Sequence, residues 1–267
     1  MTKSELKYLA TLSLKKARRA ERKFVLEGWR GLHEAVHSSF VIEYVAVVPE
    51  QRENPEHRSL LRLIREKKIP IKEISHRELQ KVSDTVHAQG VVALVHQCTW
   101  TLEDVPLDGH VIVVALDGIS DPGNLGSIIR TADWFGASAV LLGEGCVELH
   151  NEKVIRSTAG SIFHLPIVEK VNLVDAASKL RRKGFSISSL SADGQQAIHE
   201  VEFTQKQLFV VGSEAHGIGA PLRSESDHIL KIPRFGAAES LNVVVACGIV
   251  LAQVRWNMER SLSGRGD

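Results

Sequence analysis

Three stretches of the chain set polar side chains at glycine-containing turns, each joined to a strand-like run: residues 121–132 (DPGNLGSIIRTA), 211–219 (VGSEAHGIG) and 232–246 (IPRFGAAESLNVVVA). A fold that brings strand ends together would gather their Asn, Arg, Glu and Ser side chains into one pocket. Residues 117–126 (DGISDPGNLG) follow an apolar run and open a helix, the position where a doubly wound α/β sheet binds a nucleotide. The dinucleotide fingerprint GxGxxG is absent, because Gly123 and Gly126 make only GxxG, which counts against a nicotinamide-dependent dehydrogenase. On that helix Leu125, Ile128, Ile129, Ala132 and Phe135 share one face, while Arg130 and Trp134 lie opposite. Arg130 by itself reads equally well as a solvated arginine. Gly212 allows a ligand close to the backbone, and Glu214 is placed to orient one, although a surface turn explains both. Ser240 stands before an apolar run that starts at Leu241, where it would serve as a helix cap. Asn242 then falls in the first helical turn and needs a hydrogen-bond partner, from backbone or substrate.

A second constellation is His33-Glu34-Ala35-Val36-His37, which matches the zinc-peptidase pattern HExxH. That pattern puts two imidazoles on one helical face with a carboxylate between them as general base. Its context argues against a metal: the helix ends at Ser38-Ser39, and no third ligand follows at metzincin spacing. No metal site is expected.

The elements that must position these residues fall into two patterns. Residues 3–22 read as one basic helix, followed by a strand and turn at 24–28, a helix at 29–37 and strands at 41–48, 69–74 and 91–96. Helices fit 60–67 and 76–82 between them. Residues 98–110, with Pro106, Asp108 and Gly109 and no periodicity, read as a linker. Beyond it strands at 111–117, 139–142, 185–189, 208–212 and 228–232 alternate with helices at 124–135, 173–182 and 241–256, with a shorter helix near 153–159. Such alternation predicts a parallel sheet covered by helices on both faces. The expected division is a small α/β domain at 1–97, a linker at 98–110 and a larger α/β domain at 111–267.

Net charge is only +1, yet residues 1–97 carry 18 Lys/Arg against 12 Asp/Glu, and residues 98–267 carry 15 against 20. Within the first 23 residues, Lys15, Lys16, Arg18, Arg19, Arg22 and Lys23 cluster. A basic segment of this kind attracts a polyanion by releasing condensed counterions. Cys98, Cys146 and Cys247 are far apart with no CxxC, as suits a reducing compartment. The N-terminus lacks the apolar core of a secretory signal, and the apolar stretch 241–254 is too short to span a bilayer. A cytoplasmic protein with no membrane partner is expected.

Taken together, Asn124-Leu-Gly126-Ser-Ile-Ile-Arg130-Thr-Ala, Gly212-Ser-Glu214-Ala-His-Gly217 and Ile232-Pro233 followed by Gly236 and Ser240-Leu241-Asn242-Val243 closely resemble the three motifs of the SpoU (TrmH-like) branch of the SPOUT methyltransferases. The resemblance covers about residues 110–257. Upstream, the segments 24–28 (FVLEG) and 89–93 (QGVVA) resemble the start and end of that family's small substrate-binding domain, and residues 156–161 (RSTAGS) resemble a segment that lies near RNA. Arg234 departs from the pattern, which has a methionine there in many members. The resemblance implies a parallel-sheet domain with a deep trefoil knot, a homodimer with composite active sites, and methyl transfer from S-adenosylmethionine to a ribose 2′-hydroxyl of RNA. It implies that Gly212, Ile232 and Leu241 line the cofactor pocket, and that Asn124, Arg130, Glu214, Ser240 and Asn242 surround the reaction centre. Lys15, Lys16, Arg18, Arg19, Arg22, Lys23 and Arg156 are the expected RNA contacts. Ribosomal RNA, of the large subunit, is preferred over tRNA because of the separate substrate-binding domain. A tRNA methyltransferase, a non-catalytic RNA-binding relative and a zinc hydrolase at His33, Glu34 and His37 are the alternatives.

Overall fold

The computed structural model of the protein describes residues 1–83 and 88–263. The chain forms two compact units, Met1–Cys98 with Glu148–His164, and Thr99–Val147 with the chain from Leu165 onward.

The first unit opens with α1 (Lys3–Thr11) and α2 (Lys15–Glu21), not with the single helix expected over 3–22. The break has a local cause. Thr11 and Ser13 hydroxyls donate back to Tyr8 O and Ala10 O, and the Arg18 guanidinium takes the carbonyls of Leu12 and Ser13 at 2.8 and 2.6 Å. Those carbonyls are then unavailable to continue the helical ladder. Strand β1 (Lys23–Glu27), α3 (Trp29–His37), β2 (Ile42–Val47), α4 (Pro49–Arg52), α5 (Arg58–Glu66), β3 (Ile71–Glu73), α6 (His76–Leu79) and β4 (Val91–His96) follow. The sheet order is β1-β4-β2-β3, antiparallel except for the parallel β2–β3 pair. Leu9 and Leu12 from the basic segment join Val25, Tyr44, Ile74, Leu79 and Leu94 in one core. The segment is therefore built into the domain and is no appended arm.

The second unit runs through β5 (Val111–Asp117), α7 (Pro122–Trp134) and β6 (Ala139–Gly143). Its chain then leaves to supply α8 (Glu152–Thr158) to the first unit, where the linear division at 97/98 does not put it. It continues with β7 (Ile167–Val171), α9 (Leu173–Arg181), β8 (Ser186–Leu190), β9 (Gln196–Ala197), β10 (Lys206–Gly212), α10 (Ala220–Ser224), β11 (His228–Lys231) and α11 (Val243–Ser263). These strands make a seven-stranded sheet in the order β7-β6-β5-β10-β8-β11-β9, and every pairing is parallel. Val111, Val113, Ala115, Leu208 and Val210 fill one side of its core with Ala176, Ala177 and Leu180 of α9. Both faces of β5 are buried, which is why its sequence is an unbroken apolar run rather than an alternating one.

Chain order reverses between β5 and β10. From β5 the strands step outward through β6 and β7, while β8, β9 and β11 lie on the other side of β10. Asp117 and Gly212 are paired at the ends of these two strands, so the crevice beyond them is the topological switch point, where open α/β sheets bind ligands.

Candidate active site

Each of the three polar turns ends at that crevice. After β5, Asp117 accepts a hydrogen bond from the Gly219 backbone N–H at 2.8 Å, tying the first turn to the second. Asp121 caps α7 by accepting from Asn124 N–H at 2.7 Å, and Pro122 occupies the first helical turn, where its missing N–H costs nothing. The cap fixes Asn124 at the helix mouth. After β10 the chain folds back sharply: Gly217 N–H donates to Ser213 O at 2.8 Å, and His216 N–H to Ser213 Oγ at 3.1 Å. A Cβ on Gly212 would lie 2.2 Å from the Gly217 carbonyl carbon, so only glycine permits this turn.

The turns converge on Glu214. Its Oε1 accepts from Asn124 Nδ2 at 3.1 Å, from Asn242 Nδ2 at 3.3 Å and from Val243 N–H at 3.5 Å. Asn242 Nδ2 also donates to Asn124 Oδ1 at 3.2 Å, closing a triangle of three side chains from three separate motifs. Asn242 does a second job. Its Oδ1 accepts from Val244 N–H at 2.9 Å and its backbone carbonyl from Ala246 N–H at 3.0 Å, so it caps α11. The expectation that Ser240 caps a helix beginning at Leu241 is thereby corrected: the helix begins at Val243, and Asn242 is the capping residue. Ser240 is exposed on the loop that precedes it.

Beside the triangle lies a cleft of about 370 Å³ whose wall includes Gly118, Ser120, Asn124, Gly145, Glu214 and Val243. Its volume is within the range of small-molecule sites, roughly 300–1,000 Å³. Gly118 and Gly145 both have left-handed backbones, φ 72° and 79°, and a Cβ on Gly145 would come within 3.3 Å of Gly118 Cα. The two backbones thus approach with no side chain between them, and both line the cleft with main chain. These features fit a nucleoside-bearing cofactor.

Not every expected residue is gathered there. Gly212 and Ile232 are half-buried and Leu241 is exposed, and none of the three walls this cleft. Residues 234–242 are all exposed. Arg130 is exposed on α7, six residues beyond Asn124 and so about 9 Å along the axis. Gly145, in the turn after β6, was not anticipated; Asp117, Gly118 and Ser120 fall within the 117–126 segment expected at a nucleotide position but were not singled out as site residues.

In the first unit, Lys15, Lys16 and Arg19 are exposed. Arg18 is not: it is 3% exposed and bonds Glu148 through both Nε and Nη2, at 3.1 and 2.5 Å. Its guanidinium is spent on Glu148 and two carbonyls, and its assignment as an RNA contact is corrected to a structural role. Lys23 pairs with Glu43 at 2.5 Å, which raises its pKa, chiefly through that hydrogen bond. Arg22 is exposed and ends α2 in a left-handed conformation, φ 52°. Arg156 is exposed on α8, in the same compact unit as these residues. At the HExxH segment Glu34 lies 3.4 Å from His33 and 3.2 Å from His164, and His37 Nδ1 lies 2.8 Å from the His33 carbonyl. Among the described residues no three His, Cys, Asp or Glu side chains converge as a metal ion would require.

The fold and these motifs define the class. The chain belongs to the SpoU rRNA methylase family, whose model matches residues 111–252, and a model of the MRM3-like substrate-binding domain matches residues 3–93. It is 31% identical to the Bacillus subtilis (strain 168) 23S rRNA (guanosine(2553)-2′-O)-methyltransferase RlmP over 244 residues, covering 91% of this chain and 93% of that one. Among solved structures it is similar to an S-adenosylmethionine-bound rRNA methyltransferase from Sinorhizobium meliloti, with a TM-score of 0.85, 25% identity, and 97% and 96% of the two chains covered. A structure described as an RNA 2′-O ribose methyltransferase matches with a TM-score of 0.83 at 26% identity, covering 97% of each chain.

Proposed function

We propose that the chain is an S-adenosylmethionine-dependent RNA methyltransferase that acts on a ribose 2′-hydroxyl of large-subunit ribosomal RNA. The observation that carries the reading is the Asn124–Glu214–Asn242 triangle, set beside a glycine-floored cleft at the switch point of the parallel sheet.

When bound, S-adenosylmethionine supplies a sulfonium methyl whose C–S bonding electrons leave with sulfur as the hydroxyl oxygen forms the new C–O bond. The work left to the protein is orientation and removal of the hydroxyl proton. In-line positioning supplies much of the acceleration in such transfers. Glu214 holds Asn124 and Asn242 in fixed rotamers, and these amides with Ser240 position the ribose hydroxyl. Gly212, Ile232 and Leu241 complete the cofactor pocket when residues 233–242 fold over it. Arg130 engages the phosphate beside the target; it is not the base, because a guanidinium keeps its proton far above neutral pH.

A homodimer gives Arg130 its place. Arg130 and Trp134 share the outer face of α7; Trp134 is 83% exposed, and Val245, Ile249 and Trp256 of α11 are exposed too. Exposed apolar clusters are a mark of interfaces. A second copy covering them would bring Arg130 to its partner's reaction centre, as a composite site requires. The family's trefoil knot, by holding residues 232–242 against the strand ends, would keep each site rigid. Residues 1–97 with α8 act as the RNA-binding domain, residues 98–110 as the linker and residues 111–267 as the catalytic domain. Lys15, Lys16, Arg19, Arg22, Lys23 and Arg156 grip phosphates, contacts that position RNA without specifying its sequence.

Incubation of the purified protein with methyl-labelled S-adenosylmethionine and separate pools of ribosomal RNA and tRNA tests the reading. Label in 23S rRNA is expected. Label in tRNA alone would move the substrate to the second class, and binding of RNA without transfer to either pool would leave only a non-catalytic relative.

A further inference from the structure

The basic face assigned so far does not use α5 of the first unit. Its buried side is Leu60, Leu61 and Ile64. Its other side carries Arg58, Arg62 and Arg65, spaced i, i+4 and i+7 and all exposed, which lines them up along one helical face. Arg62 has a weak, open pairing with Glu66 at 3.5 Å, its side chain 77% exposed; Arg58 and Arg65 make no ion pair among the described residues. At the N-terminal end of the stripe the His57 imidazole stacks on the Trp29 indole, centroids 3.6 Å apart and planes 10° apart. Gln89 fixes the indole from behind: its carbonyl accepts from Trp29 Nε1 at 3.0 Å and its side chain from Trp29 N–H at 3.2 Å. Trp29 and His57 are both half-buried rather than buried, and Arg30 beside them is exposed. Trp29 opens α3, His57 immediately precedes α5, and the two helices pack together.

We infer that this surface, the Arg58–Arg62–Arg65 stripe ending in the Trp29–His57 stack, binds a single-stranded segment of the substrate RNA, with a base on the rings and phosphates along the arginines. The direction follows from charge: Glu53 and Glu56 are exposed just before His57 and repel phosphate at the ring end, where an uncharged base face is tolerated. Burial holds the His57 pKa below its ordinary 6.5, against the opposing pull of Glu56, so the ring is an uncharged stacking partner at neutral pH. A single strand is selected because a base must be unstacked to lie on the rings. The inference rests on the RNA reading above, and adds to it a surface that the N-terminal cluster does not include.

The test uses the full-length chain, a labelled short unstructured single-stranded RNA and a duplex of the same length, with binding followed at several salt concentrations. Replacing Arg58, Arg62 and Arg65 together with alanine keeps the helix and its buried side. It is expected to weaken single-strand binding about tenfold or more and to flatten the log–log salt slope by about 2. Trp29→Ala is expected to lose about tenfold, while Trp29→Phe, which keeps a ring, stays within about threefold of wild type. Affinity for S-adenosylmethionine and the melting temperature serve as controls and stay unchanged in the triple variant. Single-strand affinity and slope equal to wild type in both the triple variant and Trp29→Ala would overturn the inference, as would effects confined to the duplex. Wild-type protein that binds the single strand in this way yet transfers no methyl group would instead overturn the activity and leave the surface standing.

Discussion

One Glu214 carboxylate oxygen ties Asn124, Asn242 and the start of α11 together, which suits a positioning role. Glu214→Ala should therefore lower kcat about 10- to 100-fold, and Glu214→Gln, which keeps an acceptor oxygen, should lower it less; steady-state transfer to RNA measures both. Arg130→Ala makes the contrasting case, with kcat reduced at saturating RNA and cofactor; near-normal turnover would remove Arg130 from the reaction centre. In the first unit the buried Arg18–Glu148 pair should follow the rule for such pairs. Arg18→Ala leaves Glu148 buried and unpaired and should cost about 3–5 kcal/mol in denaturant unfolding, whereas replacing both residues with apolar ones should cost far less. His150 adds a pH dependence. Burial, helped by the Arg18 charge, pushes its pKa from 6.5 down to about 3. Above pH 6.5 the imidazole is neutral in both folded and unfolded chains and its contribution to stability is constant. As pH falls from 6.5 towards 3 only the unfolded chain takes up the proton, so stability drops by up to about 1.4 kcal/mol per pH unit. A His150→Phe variant should show a shallower loss across that window in thermal melts.

At the scale of elements, most strands were legible to within a residue or two, while helix starts were legible unevenly: α3, α6 and α9 begin where expected, and α7 and α11 begin two residues away. Strand β5 was expected at 111–117 and lies at Val111–Asp117, because a strand buried on both faces must be continuously apolar and Asp117 marks its end. Strand β7 went unread: Glu169 and Lys170 are exposed at the sheet edge and break any alternation. Helix α11 starts two residues later than its apolar run because Asn242, not Ser240, supplies the cap, and two polar residues before one apolar stretch cannot be ranked by type alone. The N-terminal segment was read as one helix since nothing in its periodicity reveals that Arg18 turns inward to take two carbonyls. Deleting residues 1–23 would strip Leu9 and Leu12 from the core, so charge reversal of Lys15, Lys16 and Arg19 is the cleaner probe. That variant should bind RNA less tightly with a reduced salt slope, while binding S-adenosylmethionine normally; unchanged RNA affinity would make these three residues solvated surface.

For the whole molecule, the site triangle could be anticipated as a set of residues, but its geometry comes from the order of strands around β5 and β10, which no local pattern encodes. Residues 148–164 show the same limit: their sequence sits between two strands of the catalytic sheet, yet they fold with the first unit. The exposed outer face of α7 and α11 makes the proposed dimer testable. Trp134→Glu combined with Ile249→Glu should convert a dimer to monomers in sedimentation velocity and abolish transfer if the site is composite, and a wild-type monomer with full activity would dismiss that design. Methylation of a ribose, as opposed to a base, can be read directly. Purified 23S rRNA methylated by the wild-type chain with labelled S-adenosylmethionine should be hydrolysed with alkali, which cannot cleave next to a 2′-O-methyl ribose. Label is expected in an alkali-resistant dinucleotide, and its absence is expected when Asn124 and Asn242 are replaced with alanine. Label recovered in alkali-released mononucleotides, as a methylated base would give, would contradict ribose methylation.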